Sequence, residues 1–449
     1  MTHGPGSPLG LDPLAPNSPG TPRFTARDGL RYGLLGFPLA FCALPLYVLL
    51  PNLYAREFGV ALSTLGAILL GARLLDALID PLIGRWCDHL FARSLNAVLL
   101  LGAAAAVVLA AGFTGLFFPP TREPLALLQW ATALLVITYA AYSALAVAHQ
   151  SWGARLGGDE LLRGRIVAWR EGLGLVGVVL AATLPALAGL GTMVTLFVVS
   201  LFLGLLAWRS AIRPVAGVLS AQPASASQSK PGVDVWRPWR IPAFRRLMLV
   251  FLLNGIASAV PATLVLFFVQ DRLQAPLAIQ PLFLGSYFVV GALSMPLWLK
   301  VVKRYGLAVS WLVGMLLAIA VFLGTMLLGA GDNLAFVLIC ALSGVALGSD
   351  LALPAALLAG VIGQAGDRGR AEGAYFGWWN FATKLNLALA AGIALPLLQW
   401  WGYSPGNRDP DALHTLTLAY CLLPCLLKTA AAASLYFLII QPAKAQEPA

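Results

Sequence analysis

The stretch Gly71–Arg93, GARLLDALIDPLIGRWCDHLFAR, decides how the rest of the sequence is interpreted. Arg73, Asp76 and Asp80 are three and four residues apart, so they share one face of a helix. Their neighbours are mostly Leu, Ile and Ala, as in a helix inside a bilayer. Each charge in such a helix costs about 2.5 to 3.5 kcal/mol on insertion scales. We therefore expect the three charges to face one another, a cation or a water-filled pathway.

The composition indicates a helical membrane protein with many spans. Hydrophobic residues make up 59% of the 449 residues and charged residues 11%, against about 25% charged in soluble domains. The apolar runs are continuous over about 20 residues, which fits spanning helices and excludes the alternating strands of a β-barrel. The net charge of +10 is explained by basic loops on the cytoplasmic side, so we expect no nucleic-acid partner.

The sequence contains no motif that predicts an enzyme. The five cysteines show no metal-ligand spacing with His, and no Walker motif is present. We therefore expect no resident metal, no cofactor and no ATP-driven pumping, and energy would have to come from an ion gradient.

Twelve apolar segments are long enough to span a membrane. They lie at about 32–51, 60–84, 95–117, 125–150, 171–190, 193–209, 245–269, 281–300, 308–330, 334–362, 374–401 and 413–440. A Ser/Ala/Gln/Pro-rich interruption separates six segments from six. The predicted domains are a disordered cytoplasmic tail (1–28), an N-terminal six-helix bundle (29–209), a cytoplasmic linker (210–245), a C-terminal six-helix bundle (246–441) and a cytoplasmic tail (442–449).

The distribution of Lys and Arg predicts the orientation. Of the 29 basic residues, 22 lie in the segments on the side of the N-terminus and four on the other side. Positive charge is retained in the cytoplasm, so both termini are predicted to be cytoplasmic. The abundance of Ala, Leu and Gly fits a bacterial inner membrane, in which we expect a multi-pass monomer.

The two halves also resemble each other in sequence. GDELLRGRIVAWREG (Gly158–Gly172) follows the fourth span, and GDRGRAEG (Gly366–Gly373) follows the tenth. Both contain Gly-Asp, then Arg-Gly-Arg, then Glu-Gly, at the same place in their half. This repeat favours two duplicated bundles.

Asp76 and Asp80 are the candidate cation site. Two carboxylates one helical turn apart repel each other, and a low-dielectric site disfavours their ionisation, so a proton or Na⁺ would relieve them. Arg73 opposes this effect. Lys384, in the eleventh span, is a candidate positive partner from the other bundle, although Asp350 in the tenth span is an equally available partner for it. No role is predicted for Lys428.

Two further groups of residues are functional candidates. Gly84, Asp88 and Arg93 lie where the second span meets the cytoplasm, and we predict a gate in which Asp88 caps or pairs with a neighbouring helix end. Aromatic and polar residues of the fourth, fifth and eleventh spans are candidates for a substrate cavity. They are Tyr142, His149, Gln150, Arg170, Trp378, Trp379 and Asn380. The tryptophan pair also fits an interfacial belt.

Three segments resemble the glycoside–pentoside–hexuronide:cation symporters, the melibiose-carrier group of the major facilitator superfamily. They are ARLLDALIDPLIGRWCD (Ala72–Asp88), DLALPAALLAGVIG (Asp350–Gly363) and ATKLNLALAAGIALPLLQWWGY (Ala382–Tyr403). The resemblance implies a major facilitator fold with a cation site at Asp76 and Asp80. It also implies Ser143 as an extra ligand, Lys384 as the charged partner and Arg170 as a substrate contact.

Departures from the group concern the cation and the solute. Ile79 stands where sodium-using members carry an amide, which favours protons. Leu34–Leu39 and Leu145–Ala148 lack the acids of galactoside-binding members, and Gly360 and Gly363 replace acids that are common in the tenth helix.

We therefore expect a secondary transporter for cation-coupled symport of a sugar-like or other small organic solute by alternating access. A proton-coupled exporter and an importer of lysolipids or other amphiphiles are the alternatives, and the sequence does not choose the solute or between H⁺ and Na⁺.

Overall fold

The computed structural model describes residues 24–60, 62–214, 234–403 and 406–445. Most of the predicted N-terminal tail, the centre of the predicted linker and residues 446–449 lie outside these ranges. Within them the regular structure is helical, as the apolar composition predicts. The fourteen α-helices are α1 (Ala26–Gly33), α2 (Gly36–Leu44), α3 (Leu50–Glu57), α4 (Leu62–Arg93), α5 (Leu95–Phe117), α6 (Pro124–Arg155), α7 (Glu160–Arg209), α8 (Pro242–Phe267), α9 (Gln280–Leu323), α10 (Asn333–Gln364), α11 (Glu372–Trp400), α12 (Pro410–Thr417), α13 (Leu423–Leu435) and α14 (Gln441–Ala445).

Short π-helical turns join several of these helices into longer rods. Pro45–Leu49 connects α2 to α3, Leu418–Leu422 connects α12 to α13, and Tyr436–Ile440 connects α13 to α14. Phe268–Arg272 extends α8 in the same way. We call α1–α7 the first half of the chain and α8–α14 the second half.

Eight helical segments of the described chain are long and apolar enough to cross a membrane. They include Leu95–Phe117, Asn333–Gln364 and a 48-residue segment, Gln280–Leu327. The count of twelve spans and the cytoplasmic placement of the termini stay predictions.

Glycines interrupt the two longest helices. Gly189 in α7 has φ 82° and ψ 169°, and Gly306 in α9 has φ 75° and ψ 172°. These backbone angles are open almost only to glycine, because a Cβ would clash with the peptide. Each glycine therefore divides one continuous helical stretch into two. The predicted spans 171–190 and 193–209 leave a short turn between them, and the structure places the break at Gly189, just before that turn.

The two halves of the chain contact each other through α4 and α11, and through α7 with α9 and α10. Glycines bring α4 and α11 together: a Cβ on Gly84 would lie 2.0 Å from the carbonyl oxygen of Gly373, and one on Gly377 would lie 2.6 Å from that of Asp80. Small residues permit such close backbone approach between membrane helices. We call the end of the molecule that carries Asp88 and Arg155 the basic end.

Aromatic side chains fill the interior of each half. In the first half, Trp152 and Trp208 meet edge to face with ring centroids 5.4 Å apart. In the second half, Phe268 stacks on Tyr420 with centroids 4.2 Å apart. At the end opposite the basic end, Tyr54 donates a hydrogen bond to the Leu116 carbonyl, a contact that stays inside the first half.

Gly189→Ala is expected to destabilise the protein by about 1 to 3 kcal/mol, because alanine is strained at a positive φ. No heavy atom lies within 4 Å of the added Cβ, so the loss would come from the backbone alone. Thermal unfolding in detergent, followed by circular dichroism, measures it. Gly285→Ala is the matched control, since that helical site is equally open and alanine favours helix. Equal losses in both variants would contradict the prediction.

Candidate functional site

The charged residues of α4 meet a lysine of α11 between the two halves of the chain. The Nζ atom of Lys384 lies 2.6 Å from Oδ2 of Asp76 and 2.7 Å from Oδ2 of Asp80. Asp76 and Asp80 are buried, with 5% and 0% of their surfaces exposed. One ammonium group therefore bridges two carboxylates that approach it from the same face of α4.

Ser143 of α6 completes this cluster. Its hydroxyl donates to Oδ1 of Asp76 at 2.8 Å and accepts from Nζ of Lys384 at 2.8 Å. Oδ1 of Asp80 is buried and has no hydrogen-bond partner among the described residues. Arg73 interacts with Tyr139 and lies within Coulombic range of Asp76. Two acids and two bases thus leave the cluster with no net formal charge.

Asp350 belongs to a different cluster, which lies inside the second half. Its Oδ2 atom is 2.7 Å from Nζ of Lys428, and its Oδ1 atom accepts from the indole of Trp311 at 2.9 Å. Lys428 also donates to Asn254 at 2.8 Å and to Ser258 at 3.1 Å. The sequence leaves open which acid faces Lys384, and in the structure it contacts Asp76 and Asp80, while Asp350 holds Lys428.

Asp88 binds the first turn of α11. Its Oδ1 atom accepts from the Gly373 amide at 2.7 Å, and its Oδ2 atom accepts from the Ala374 amide at 2.8 Å. These amides lack partners within their own helix, and the positive end of the helix dipole favours a carboxylate there. A residue of the first half thus caps a helix of the second half.

Arg155, at the end of α6, connects Asp88 with Glu372. Its Nη2 atom lies 3.1 Å from Asp88 and 2.9 Å from Glu372, and its Nη1 atom donates to the Gly369 carbonyl at 3.0 Å. The guanidinium also covers the ring of Phe91, 4.0 Å from the centroid. These groups are on α4, α6, the start of α11 or the loop before it, so they hold the two halves together at the basic end.

Arg93 takes no part in the contacts described at this end, and its role in the gate stays a prediction. It is exposed at the last turn of α4. Arg155 supplies the positive charge instead, because the end of α6 packs beside Asp88. We call Gly84, Asp88, Arg155 and Glu372 the basic-end lock.

Glu160 forms a second connection between the halves. Its carboxylate accepts from the Leu307 amide at 2.7 Å, directly after the break at Gly306. A residue of α7 therefore caps the second part of α9, which belongs to the other half of the chain.

Packing accounts for three of the residues predicted to line a cavity. His149 is fully buried in the first half, where its Nε2 atom lies 2.8 Å from the Tyr32 carbonyl oxygen. Trp379 is 6% exposed and stacks on Phe251, with ring centroids 3.7 Å apart. Trp378 donates to the Val235 carbonyl at 2.8 Å. In this structure the three side chains contact other parts of the protein, and their place in a substrate cavity stays a prediction.

The segment that contacts Trp378 also carries a charged pair outside the apolar helices. Arg237 lies 3.1 Å from Asp367, and this carboxylate raises the pKa of the guanidinium. The Tyr375 hydroxyl donates to the same carboxylate at 2.8 Å. The part of the predicted linker that the structure describes is thus bound to the start of α11.

Gln150 and Arg170 face a small cavity between the halves. Residues of α6 and α7 line one side of it, and Phe376 and Ala359 line the other. Its volume of about 10 Å³ holds about one water molecule. Arg170 pairs with Glu171. Tyr142 and Asn380 are half-buried.

Sequence reasoning missed several members of these clusters. No sequence signal points to Arg155, because basic residues are common at the ends of membrane helices. Glu372 lies within the repeated Gly366–Gly373 motif, which was the available signal for it. Asn254 and Trp311 carry no motif, and only the packing of α8 and α9 brings them to Lys428 and Asp350.

Asp88→Ala is expected to weaken the basic-end lock, because it removes two caps of α11 and leaves Arg155 with one fewer anion. A helix cap contributes about 0.5 to 2 kcal/mol. The fraction of molecules in which the two halves are apart at the basic end should therefore rise several-fold. Spin labels at the exposed positions Ala92 and Arg370, in a background without native cysteines, measure the distance between the halves. Arg93→Gln is the control and should leave the distance distribution unchanged. An unchanged distribution in Asp88→Ala would contradict the prediction.

Comparison with known proteins agrees with this architecture. The sequence matches the family described as MFS/sugar transport protein over residues 30–441. No curated protein matches it. A bacterial homologue of the iron transporter ferroportin, in an outward-facing state, is 18% identical with a TM-score of 0.66, over 91% of this chain and 99% of that one. The human organic anion transporter MFSD10 (TETRAN) is 18% identical with a TM-score of 0.62, over 90% and 100% of the two chains.

At 18% identity the two structures establish similarity of fold alone. The family match covers nearly the whole chain, including the acids of α4, Lys384 and the basic-end lock. The chain therefore belongs to the MFS/sugar transport protein family of the major facilitator superfamily, and it is a multi-pass membrane transporter rather than an enzyme.

Proposed function

We propose that this transporter couples the movement of a cation to symport of a small organic solute by alternating access. The observation that carries the proposal is the bridge from Lys384 in the second half to Asp76 and Asp80 in the first half. H⁺ or Na⁺ would bind at these two acids, with Ser143 as a further oxygen ligand. The solute class is proposed to be sugar-like, as the family description suggests.

Charge balance supports competition between the cation and Lys384. The cluster of Arg73, Asp76, Asp80 and Lys384 is formally neutral, so an added cation would leave an uncompensated buried charge. Such a charge costs several kcal/mol. Departure of the Lys384 ammonium restores neutrality, and the unpartnered Oδ1 atom of Asp80 is available to a proton or metal ion.

The position of the cluster relates cation binding to the contact between the halves. Lys384 lies on α11, and the same helix is capped by Asp88 and packs on Gly84 of α4. Release of Lys384 would remove one of two links between α4 and α11 and leave the basic-end lock. We propose that the basic end faces the cytoplasm of a bacterial cell, and that the protein acts as a monomer.

Symport requires that the cation and the solute favour each other's binding by the same factor. Gln150 and Arg170 face the cavity between the halves, and with the half-buried Tyr142 and Asn380 they are the proposed solute contacts. A proton-coupled exporter would instead show competition between proton and solute. Lysolipid import is the remaining alternative, and the choice of solute probes separates it from sugar transport.

Reconstituted proteoliposomes in a weakly buffered medium, with a membrane-impermeant pH dye in the external solution, test the proposed symport. Melibiose and lysophosphatidylcholine are the solute probes, each with Na⁺ or with choline in its place. Symport predicts external alkalinisation on solute addition, or Na⁺-dependent uptake. Solute-driven acidification would instead show an exporter.

Asp80→Asn is expected to lower cation-driven accumulation of the transported probe about tenfold, while solute exchange at equal concentrations continues. The asparagine side chain is neutral, so it has no negative charge for a bound cation to neutralise. Asp411→Asn is the matched control, since Asp411 is an exposed acid in the first turn of α12. Equal accumulation in Asp80→Asn and Asp411→Asn would refute the role of Asp80.

Lys384→Gln is expected to raise cation affinity about tenfold, because the ammonium no longer competes for the two acids. Proton uptake in weakly buffered detergent solution and Na⁺ titration by calorimetry, with choline as control, measure this affinity. Circular dichroism checks that the variant is folded. A lower or unchanged affinity in a folded variant would show that Lys384 does not compete with the cation.

A further inference from the structure

A second cavity lies at the basic end, away from the Asp76–Lys384 cluster. Its volume is about 750 Å³. The start of α8, the break in α9, the end of α10 and the last turns of the chain surround it, and α7 contributes Glu160 and Arg163. Both halves of the chain therefore contribute to its wall.

Positive charge exceeds negative charge around this cavity. Arg163 and Arg246 both line it, together with Glu160. Glu160 is already bound to the Leu307 amide. The Nη1 atom of Arg163 donates a hydrogen bond to the Gly158 carbonyl at 2.9 Å. Its Nε atom is buried and has no hydrogen-bond partner among the described residues.

Other charges near Arg163 do not reverse this balance. Asp159 and Arg368 are within Coulombic range of it. Asp159 caps α7 through the Leu162 amide at 2.8 Å, so one of its oxygens is occupied. Counting Arg163, Arg246 and Arg368 against Asp159 and Glu160 leaves one positive charge without a partner acid.

The shape of the cavity suits a headgroup with a chain. Gly360 lets the Arg163 guanidinium pack directly against α10, since a Cβ at this glycine would lie only 3.1 Å from Nη2 of the arginine. Aliphatic residues such as Leu247, Leu357 and Ile439 form much of the wall. Arg246, in the first turns of α8, is exposed at the rim of the cavity.

We propose that this cavity binds an anionic phospholipid, with its phosphate between Arg163 and Arg246 and its acyl chain along the aliphatic wall. Basic residues at the ends of membrane helices attract anionic headgroups. A free phosphate ion would satisfy the arginines but would leave the aliphatic wall unused. The cavity is thus a lipid site next to the small cavity of the proposed solute contacts, and Arg163 lines both cavities.

Binding would also affect the contact between the two halves. Arg163 belongs to α7 of the first half and Arg246 to α8 of the second, so one phosphate links the two. A ligand that contacts both halves favours the conformation in which they are close. An anionic lipid therefore adds to the basic-end lock at a second contact between the halves, where α7 meets α9 and α10.

Native mass spectrometry and thermal unfolding of the delipidated full chain test the proposal. Phosphatidylglycerol is the probe, and phosphatidylcholine and inorganic phosphate are the comparisons. We expect phosphatidylglycerol alone to remain bound and to raise the melting temperature. The double variant Arg163→Gln, Arg246→Gln should lose about tenfold in affinity. Lys300→Gln, Lys303→Gln removes the same charge from exposed positions outside the cavity and should bind as the unmodified chain does.

Gly360→Leu gives a second test that leaves all charges in place. The larger side chain would displace the Arg163 guanidinium, which lies against Gly360, so it should weaken lipid binding while cation binding at Asp76 and Asp80 continues. Equal phosphatidylglycerol binding in the arginine and lysine double variants would overturn the proposal. An equal stabilisation by inorganic phosphate, or by phosphatidylcholine, would overturn it as well.

Discussion

The ammonium group of Lys384, placed between Asp76 and Asp80, is the interaction on which the rest of this structure depends. Either acid alone in an apolar helix would be costly, and so would the lysine. Together with Arg73 they form a neutral cluster whose members come from both halves of the chain. The cluster is therefore complete only while the two halves are in contact. A cation that enters the cluster disturbs both the cluster and this contact.

The Asp350–Lys428 cluster differs from the Asp76–Lys384 cluster in one respect: its bonds do not depend on contact between the two halves. Lys428 is held by Asp350, Asn254 and Ser258, all within the second half. Because its partners belong to the same half, separation of the halves would leave its bonds intact. In the first cluster the partners are on different halves, and Oδ1 of Asp80 has no hydrogen-bond partner in the part of the chain that the structure describes. Buried charge can thus stabilise one bundle or connect two, according to which helices carry the partners.

Closure at the basic end combines close backbone packing with charge. Gly84 lets α4 approach α11, and this approach brings Asp88 to the amides of Gly373 and Ala374. Arg155 then satisfies Asp88 and Glu372 together. The lock and the Asp76–Lys384 cluster share α4 and α11, so a rigid displacement of one helix against the other acts on both.

The sequence by itself determined that the chain is a helical membrane protein, that Asp76 and Asp80 share one helix face, and that Lys384 is buried charge in need of a partner. Composition and helical periodicity suffice for these conclusions because they depend on neighbours in the chain. Only the tertiary structure decided that Lys384 meets the acids of α4 while Asp350 meets Lys428. It also brought Arg155 to Asp88 and Glu372 and placed His149 inside the first half. Pairing between distant helices depends on packing and rotation about the helix axis, which local sequence does not encode.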